Sequence, residues 1–202
     1  MEFQGVNLNE YLLIIEPENP IRQQIQSLKR YFKARHRFDN AIVSKAHLTL
    51  MRFLQYESYE GLIIRRLRTM ASSIEPFIIE LQNFGTFGHA IYIDVKTVQP
   101  VLDVVYNRRS ELRPFVYSDK STPVFIRKPH ITVARRLTPP QCSSVWALWH
   151  RMSYHASFRA SHMVLLSRRA GTRTYRQVAK FTFGGHHPGG QNTYFVQGRL
   201  FG

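Results

Sequence analysis

The sequence contains a single cysteine, Cys142, among its 202 residues. An intramolecular disulfide is therefore impossible, and because no nucleophile motif surrounds Cys142 we interpret it as an ordinary free thiol. Long apolar runs are scarce too: a membrane-spanning helix needs about 20 apolar residues, and the run Tyr11–Ile15 is far shorter. The first residues show no basic stretch followed by an apolar one, as a signal peptide requires. We expect a cytoplasmic protein that does not enter a membrane.

Acidic side chains are also few. The chain has 13 Asp and Glu against 28 Lys and Arg, which gives a net charge of +15. Such an excess favours a polyanionic partner such as RNA. A membrane surface is disfavoured because no polybasic run adjoins an amphipathic anchor, while charge that only maintains solubility remains an alternative. With 44% hydrophobic residues, the chain can bury a core as one domain or as two small lobes.

One stretch of the sequence occurs twice. Lys45–Arg52 and Lys128–Arg135 both follow the pattern Lys-x-His-apolar-Thr-apolar-x-Arg. Since side chains alternate between the two faces of a strand, the lysine, histidine and threonine of each copy share one face and the apolar residues share the other. The polar faces consist of Lys45, His47 and Thr49 in the first copy and of Lys128, His130 and Thr132 in the second.

The repetition of the pattern is what makes it informative. A single copy would suit any buried strand with a hydrogen-bonded histidine, and for one copy alone the structural interpretation is favoured. Two copies with matching Lys and Arg flanks are rare by chance in a chain with nine histidines. We therefore interpret them as a functional pair. A pseudo-twofold arrangement of the two strands would place His47 and His130 across one cleft.

The paired motifs resemble those of the 2H phosphoesterase superfamily, specifically its LigT-like branch of 2′-5′ RNA ligases and RNA 2′,3′-cyclic phosphodiesterases. The resemblance extends roughly from Tyr11 to Phe183 and is most specific in the two His-x-Thr segments. It implies an enzyme that opens a 2′,3′-cyclic phosphate to a 2′-phosphate, with the 3′ oxygen as the leaving group. Provisionally, it also implies that His47 is the general acid and His130 the general base.

The secondary-structure patterns divide the chain into two similar halves. Together with the resemblance they imply a bilobal, duplicated α/β (α+β) fold, with two antiparallel-rich sheets facing across a central groove and helices outside. We expect this fold over 1–183 as a single domain and a flexible or irregular tail over 184–202, whose His186 and His187 lack further metal ligands. The predicted strands are 11–15, 45–53, 77–84, 90–95, one within 122–135, 158–167 and 174–183. The predicted helices are 18–33, 59–70, 98–112 and 139–154, the last capped by Thr138.

Two imidazoles across a cleft suit acid–base transfer of a phosphoryl group without a metal, because one ring can be neutral while the other is protonated near neutral pH. The hydroxyls of Thr49 and Thr132 lie on the histidine face, where they can bond the non-bridging phosphate oxygens. Lys45 and Lys128 either add positive charge against the phosphate or are solvated strand ends.

Further substrate contacts follow less directly from the pattern. Strand alternation predicts that Arg52 and Arg135 start on the face opposite the histidines. Both lie near strand ends, however, where a long side chain can curl round to the other face. Arg135 is the better candidate for a phosphate contact. Aromatic stacking would recognise a base, although most aromatic residues in such a composition belong to the core. The candidate stacking residues are Tyr11, Phe53, Phe84 and Phe87.

Two other functions remain open at this point. The substrate could be a different cyclic or 2′-5′-linked nucleotide, including a small metabolite derived from ADP-ribose. The chain could instead be a basic RNA-binding module without turnover. In either enzymatic case we expect a monomer with no cofactor and no metal, acting on RNA or a cyclic nucleotide.

Overall fold

The computed structural model describes residues 7–38 and 44–184. In this part of the chain the strands form one antiparallel sheet, and the helices pack on it. The strands are β1 Leu8–Ile15, β2 Leu48–Tyr56, β3 Phe77–Thr86, β4 Ala90–Val95, β5 Val124–Phe125, β6 His130–Arg135, β7 His155–Ala160, β8 His162–Arg169 and β9 Arg176–Thr182. The helices are α1 Ile21–His36, α2 Glu60–Ser72, α3 Val98–Tyr106, α4 Arg109–Val116 and α5 Pro139–Trp149.

The sheet consists of two halves that meet at the motif strands. Its order is β7-β3-β4-β6-β2-β1-β8-β9, with β5 also paired to β2. We call β2, β1, β8 and β9 the first half-sheet, and β7, β3, β4 and β6 the second half-sheet. The predicted α+β class, with antiparallel strands and covering helices, is confirmed. The two separate sheets of the prediction are corrected to one continuous sheet, because β2 and β6 are joined at the single pair Leu48–Ile131.

The helices that connect the inner strands cross between the half-sheets. Helix α1 links β1 to β2 of the first half-sheet but packs on β6 and β7 of the second, whereas α3 and α4 follow β4 of the second and pack on β2 of the first. Because each half-sheet is covered by a helix from the other, the buried residues form one continuous core. Within it, Phe32 of α1 packs edge-on against Trp149 of α5, with 5.5 Å between ring centroids. Burying one such aromatic side chain contributes about 1.5–3 kcal/mol.

Two predicted elements are divided in the structure. The predicted helix 98–112 is two helices, α3 and α4, because the backbone leaves the helical conformation at Arg108, with φ −120° and ψ 14°. The predicted strand 158–167 is also two strands: β7 ends at Ala160 and pairs with β3, whereas β8 begins at His162 and pairs with β1. A short continuous apolar run carries no signal of such a change of partner strand.

The predicted cap of α5 is confirmed, and glycines occupy two hairpin turns. Thr138 caps α5: its hydroxyl accepts from the backbone amide of Gln141, and the Gln141 side chain accepts from the backbone amide of Thr138 at 2.9 Å. Gly88 and Gly171 occupy the turns of the β3–β4 and β8–β9 hairpins with φ of 80° and 86°. A positive φ of this size is readily adopted only by glycine, so these two turns depend on it.

The described chain ends against the core. Phe183 is buried, and the amide of Gly184 donates to the carbonyl of Ala71 at 3.1 Å. The rest of the predicted tail, including His186 and His187, lies outside the described residues. Over 7–38 and 44–184, no helix has the length and apolar character needed to cross a membrane.

Candidate active site

The two motif histidines lie at the seam between the half-sheets and line one cavity of about 950 Å³. His47 immediately precedes β2, and His130 is the first residue of β6. In each copy the ring Nδ1 bonds the backbone carbonyl two residues earlier: His47 to Lys45 at 2.8 Å, and His130 to Lys128 at 2.7 Å. A carbonyl oxygen only accepts, so each Nδ1 carries a hydrogen. The contact therefore selects one tautomer and leaves Nε2 as the nitrogen available for proton transfer.

A β-bulge in each motif strand changes the face of its arginine. The pairing of β2 with β1 skips Leu50, and the pairing of β6 with β4 skips Val133. One unpaired residue reverses the alternation of side chains, so Arg52 and Arg135 line the same cavity as the histidines. The predicted opposite face is therefore wrong for both arginines, and no curling of the side chain is needed. The bulge occupies the same place in the two copies.

The hydroxyls and guanidiniums of the motifs are unpaired. Thr49 and Thr132 line the cavity, as Arg52 and Arg135 do. None of these four side chains has a hydrogen bond or an ion pair with another described residue. Donors of this kind, held on strands around one cavity, are available for the oxygens of a bound anion.

The two imidazoles differ in their electrostatic surroundings. Burial is the main cause that lowers the pKa of His47 to about 4, and the positive charges of Lys29 and Arg135, together with His130, lower it further, while the bond to the Lys45 carbonyl opposes them. Burial also lowers the pKa of His130, but there the Asp94 carboxylate acts in the opposite direction. In the ligand-free protein both rings are therefore neutral at pH 7, and His130 is the more readily protonated of the two.

An aromatic and charged cluster surrounds His130. Phe87, which is 42% exposed, stacks on Tyr92 with 4.3 Å between centroids and meets the His130 ring edge-on at 5.0 Å. Lys128 donates to the Tyr92 hydroxyl at 2.7 Å and lies 3.7 Å from Asp94. Phe87 and Lys128 both line the cavity. An exposed ring beside the imidazole offers a stacking surface for a base.

Three of the predicted stacking residues are core residues instead. Tyr11 is 0% and Phe53 2% exposed, and the two rings stack on each other at 5.2 Å. Phe84 is also buried and packs edge-on against Trp149 at 4.8 Å. The side chain of Lys45 is exposed but does not line the cavity; its contribution to the site is its carbonyl oxygen. Tyr11, Phe53 and Phe84 are therefore corrected to core residues on their burial, whereas the exposed side chain of Lys45 fits the alternative of a solvated strand end.

The cavity is lined by more cations than the motifs supply. Arg109, Arg127 and Arg168 also reach it. Glu10 is the one carboxylate among the described lining residues, and Arg168 neutralises it with hydrogen bonds of 3.0 and 2.9 Å. Over the described ranges, no group of three or more His, Cys, Asp or Glu side chains is arranged to hold a metal ion. The charge of the lining suits an anionic ligand.

The lining residues that sequence reasoning missed lie outside both motifs, most of them far away in the chain and two of them, Phe125 and Arg127, just before Lys128. They include Glu10, His89, Tyr106, Arg109, Phe125, Arg127, Arg168 and Tyr175. None belongs to a repeated pattern. Strand β5 shows why they are missed: its pairing with β2, at Val124–Arg52, brings a loop segment to the cavity, and no local pattern signals such a pairing.

Comparison with known proteins agrees with this architecture. Residues 17–172 match the 2'-5' RNA ligase superfamily. No curated protein matches the chain.

Solved structures share the fold at low sequence identity. The E. coli protein LigT complexed with 3'-AMP is 15% identical, with a TM-score of 0.60 over 88% of this chain and 99% of that chain. A protein of Thermus thermophilus is 18% identical, with a TM-score of 0.63 over 88% and 100% of the two chains. E. coli LigT complexed with NADP+ is 14% identical, with a TM-score of 0.59 over 88% and 99%.

Proposed function

Because this chain belongs to the 2'-5' RNA ligase superfamily, we propose that it is a metal-independent phosphodiesterase that opens RNA or nucleotide 2′,3′-cyclic phosphates to 2′-phosphates. The observation that carries the proposal is the pair of imidazoles on one cavity, each with its Nδ1–H bonded to a backbone carbonyl. Two such rings supply both proton transfers that the reaction needs.

The mechanism assigns each motif side chain one task. The Nε2 of neutral His130 takes a proton from water as the water oxygen bonds to phosphorus. The bond from phosphorus to the 3′ oxygen breaks, and protonated His47 donates its Nε2 proton to that oxygen. Hydroxyls of Thr49 and Thr132 donate to the non-bridging oxygens. The product keeps the phosphate on the 2′ oxygen, and the two rings have exchanged protonation states.

The cationic lining supports the charge balance of this step. Arg52 and Arg135 add positive charge where negative charge increases on the phosphate oxygens in the transition state. They are free to do so, because no described carboxylate pairs with either of them. Lys128 is held by Tyr92 and Asp94, which gives it a positioning task at the mouth of the cavity near His130.

The low pKa of His47 has a consequence for the assignment of roles. With a pKa of about 4 in the ligand-free protein, His47 can act as the acid near neutrality only after the phosphodiester anion has entered and favoured its protonated form. We therefore expect the pKa values in the pH profile of kcat to lie above those in the profile of kcat/KM. Equal values would favour the reverse assignment, with His130 as acid.

A second candidate function rests on the charge of the cavity alone. Several unpaired guanidiniums would bind RNA whether or not turnover follows, so a non-catalytic RNA-binding module remains the rival proposal. A different cyclic or 2′-5′-linked nucleotide is the rival substrate. Solved structures of E. coli LigT hold 3'-AMP and NADP+, which supports a nucleotide in this type of cavity.

The test is hydrolysis of a short RNA that ends in a 2′,3′-cyclic phosphate, followed by identification of the product isomer. His47→Ala and His130→Ala are run beside the wild type, with and without EDTA. Turnover to a 2′-phosphate that both substitutions abolish and EDTA leaves intact is the expected result. No turnover by the wild type, with RNA binding retained in all three proteins, would establish the binding module instead.

A further inference from the structure

Lys29 is a buried lysine beside the first motif, and the proposed mechanism does not use it. It lies on the inner side of α1 and is 1% exposed. Its Nζ donates to the carbonyl of Ser44 at 2.8 Å and to that of Lys45 at 3.3 Å. Among the described residues no carboxylate pairs with it. Burying an ammonium is costly for a fold even when it is hydrogen-bonded, so its presence at this place needs a reason.

The Lys45 carbonyl connects Lys29 to the motif histidine. The oxygen that accepts from Lys29 also accepts from His47 Nδ1, at 2.8 Å. The ammonium therefore holds the carbonyl to which the imidazole is bonded, and the direction of the ring follows from that carbonyl. We propose that Lys29 is a positioning residue, which keeps His47 in its Nδ1–H tautomer with Nε2 directed to the phosphate.

The charge of Lys29 makes this role measurable apart from packing. It faces His47 from α1, while Arg135 and His130 face the same ring from β6, and all three disfavour the imidazolium. Lys29→Met removes the ammonium and keeps the length of the side chain. We expect the pKa of His47 to rise in this variant, as followed by NMR titration of the imidazole.

The kinetic part of the test rests on the proposed function. For hydrolysis of the cyclic phosphate we expect kcat to fall about 10- to 100-fold in Lys29→Met, the usual effect of displacing a reacting group, with KM little changed. Lys33→Met is the matched control, because Lys33 is an exposed lysine on the same helix. It should change neither kcat nor the pKa of His47.

Several outcomes decide the proposal. A folded Lys29→Met protein with an unchanged pKa of His47 would overturn it and leave Lys29 a packing role only. If the variant does not fold, an NMR titration of the wild type still tests the proposal. Burial lowers the pKa of Lys29 to about 8, so the His47 resonances should shift a second time as the pH passes through that value. Absence of turnover by the wild type would contradict the proposed function alone, because the NMR titration needs no substrate.

A different observation supports a second proposal, at the end of the cavity away from the histidines. We call Tyr106, Arg109 and Phe125 the distal end; all of them line the cavity. The guanidinium carbon of Arg109 lies 5.1 Å from the centroid of the Phe125 ring, and Arg109 donates to the Tyr117 hydroxyl at 3.2 Å. Arg109 is not paired with a carboxylate within the described ranges.

The place of the distal end suggests what it binds. The pairing of Val124 with Arg52 sets this segment beside β2, about 10 Å beyond Thr49 at roughly 3.3 Å per residue. The cavity of about 950 Å³ is near the upper limit of the roughly 300–1,000 Å³ found for small-molecule sites. Phe125 is buried, but Tyr106, whose ring lies 5.9 Å from that of Phe125, is 36% exposed. A cation beside an exposed aromatic ring is typical of single-strand binding surfaces. We infer that the distal end holds the next phosphate of an RNA strand, so the substrate is an oligonucleotide 3′ end.

This inference rests on the proposed function, and a comparison of substrate length tests it. We expect the wild type to prefer a dinucleotide 2′,3′-cyclic phosphate over the mononucleotide by about tenfold in kcat/KM, the value of one charged contact. Arg109→Gln should lose this preference. Its log KM for the dinucleotide should also depend less steeply on log salt, by about 0.7 for each lost phosphate contact. Arg68→Gln, an exposed arginine of α2 outside the lining, should keep both properties.

Two results would overturn the distal site: equal kcat/KM for the two substrates in the wild type, or a preference that survives Arg109→Gln. If the wild type hydrolyses neither substrate, the proposed function fails. Competition binding of dinucleotide and mononucleotide 2′-phosphates then measures the same preference as a ratio of Kd values and still decides the distal site.

Discussion

The two motif copies share their sequence pattern, their bulge and their Nδ1 contact, but they differ in the charges packed around the histidines. The Lys29 ammonium and the Arg135 guanidinium disfavour protonation of His47. The Asp94 carboxylate favours protonation of His130. A repeated motif therefore yields two imidazoles that are not equivalent. The residues outside the repeat therefore set which ring is protonated first. In the ligand-free protein that ring is His130, so the proposed roles require the bound phosphodiester anion to favour protonated His47.

The largest expected effect tests whether the two rings act as one unit. His47→Ala and His130→Ala should each lower kcat for the cyclic phosphate by about 10²–10⁴-fold, the usual contribution of one general acid or base. The double variant should be little worse than either single variant, because the groups act in the same step. Steady-state kinetics at one pH measures all three. If the losses of kcat in the two single variants were fully additive in the double variant, the two histidines would have independent roles and would not act as one unit.

The next effect tests the equivalence of the two bulges. Arg52→Gln and Arg135→Gln should each lower kcat/KM by about 10- to 100-fold, because each removes a charge-assisted contact to phosphate that strengthens in the transition state. Similar losses in both variants are expected, since both arginines line the cavity after the same bulge. Arg151→Gln, exposed and outside the lining, is the control. A loss confined to one arginine would show that the two copies bind phosphate unequally.

A smaller effect tests why the pKa values of the two imidazoles differ. Asp94→Asn removes the negative charge that favours protonated His130, so the pKa of His130 should fall further below 6.5. The limb of the kcat/KM profile that belongs to His130 should move to lower pH by the same amount. Asp103→Asn, on α3 and bonded to Gln99, should move neither. An unchanged pKa of His130, measured by NMR, would refute the role given to Asp94.

The last effect concerns stability rather than rate. The folded pKa of His47 is about 4, while an unfolded histidine titrates near about 6.5. The unfolded chain therefore binds the proton first, and the free energy of unfolding should decrease as the pH falls from about 6.5 to about 4. Denaturant titrations across this window should show a flatter dependence for His47→Gln. His130→Gln should flatten this pH dependence less, because Asp94 offsets part of the lowering of the His130 pKa. Equal flattening by the two substitutions would mean that the two rings do not differ in their electrostatic surroundings.

The candidate site shows how far local patterns reach. His47 and Thr49 lie on one face, as the alternation of a strand predicts, and their counterparts in the second copy do the same. The aromatic candidates failed for a physical reason: Tyr11 and Phe53 lie on strands whose inner face is covered by helices, and pattern alone does not say which ring remains exposed. Phe87 reaches the cavity because it stands in a hairpin turn.

The sequence by itself determined the two histidine strands, the threonines on the same face, the α+β class and the basic character that suits a polyanion. These are properties of composition and of a period of two residues, which hold wherever a strand forms. Only the tertiary structure decided the rest. The bulges that turn Arg52 and Arg135 to the cavity depend on strand pairing, and the approach of Lys29 to His47 depends on helix packing. Both involve residues far apart in the chain, so no local pattern records them.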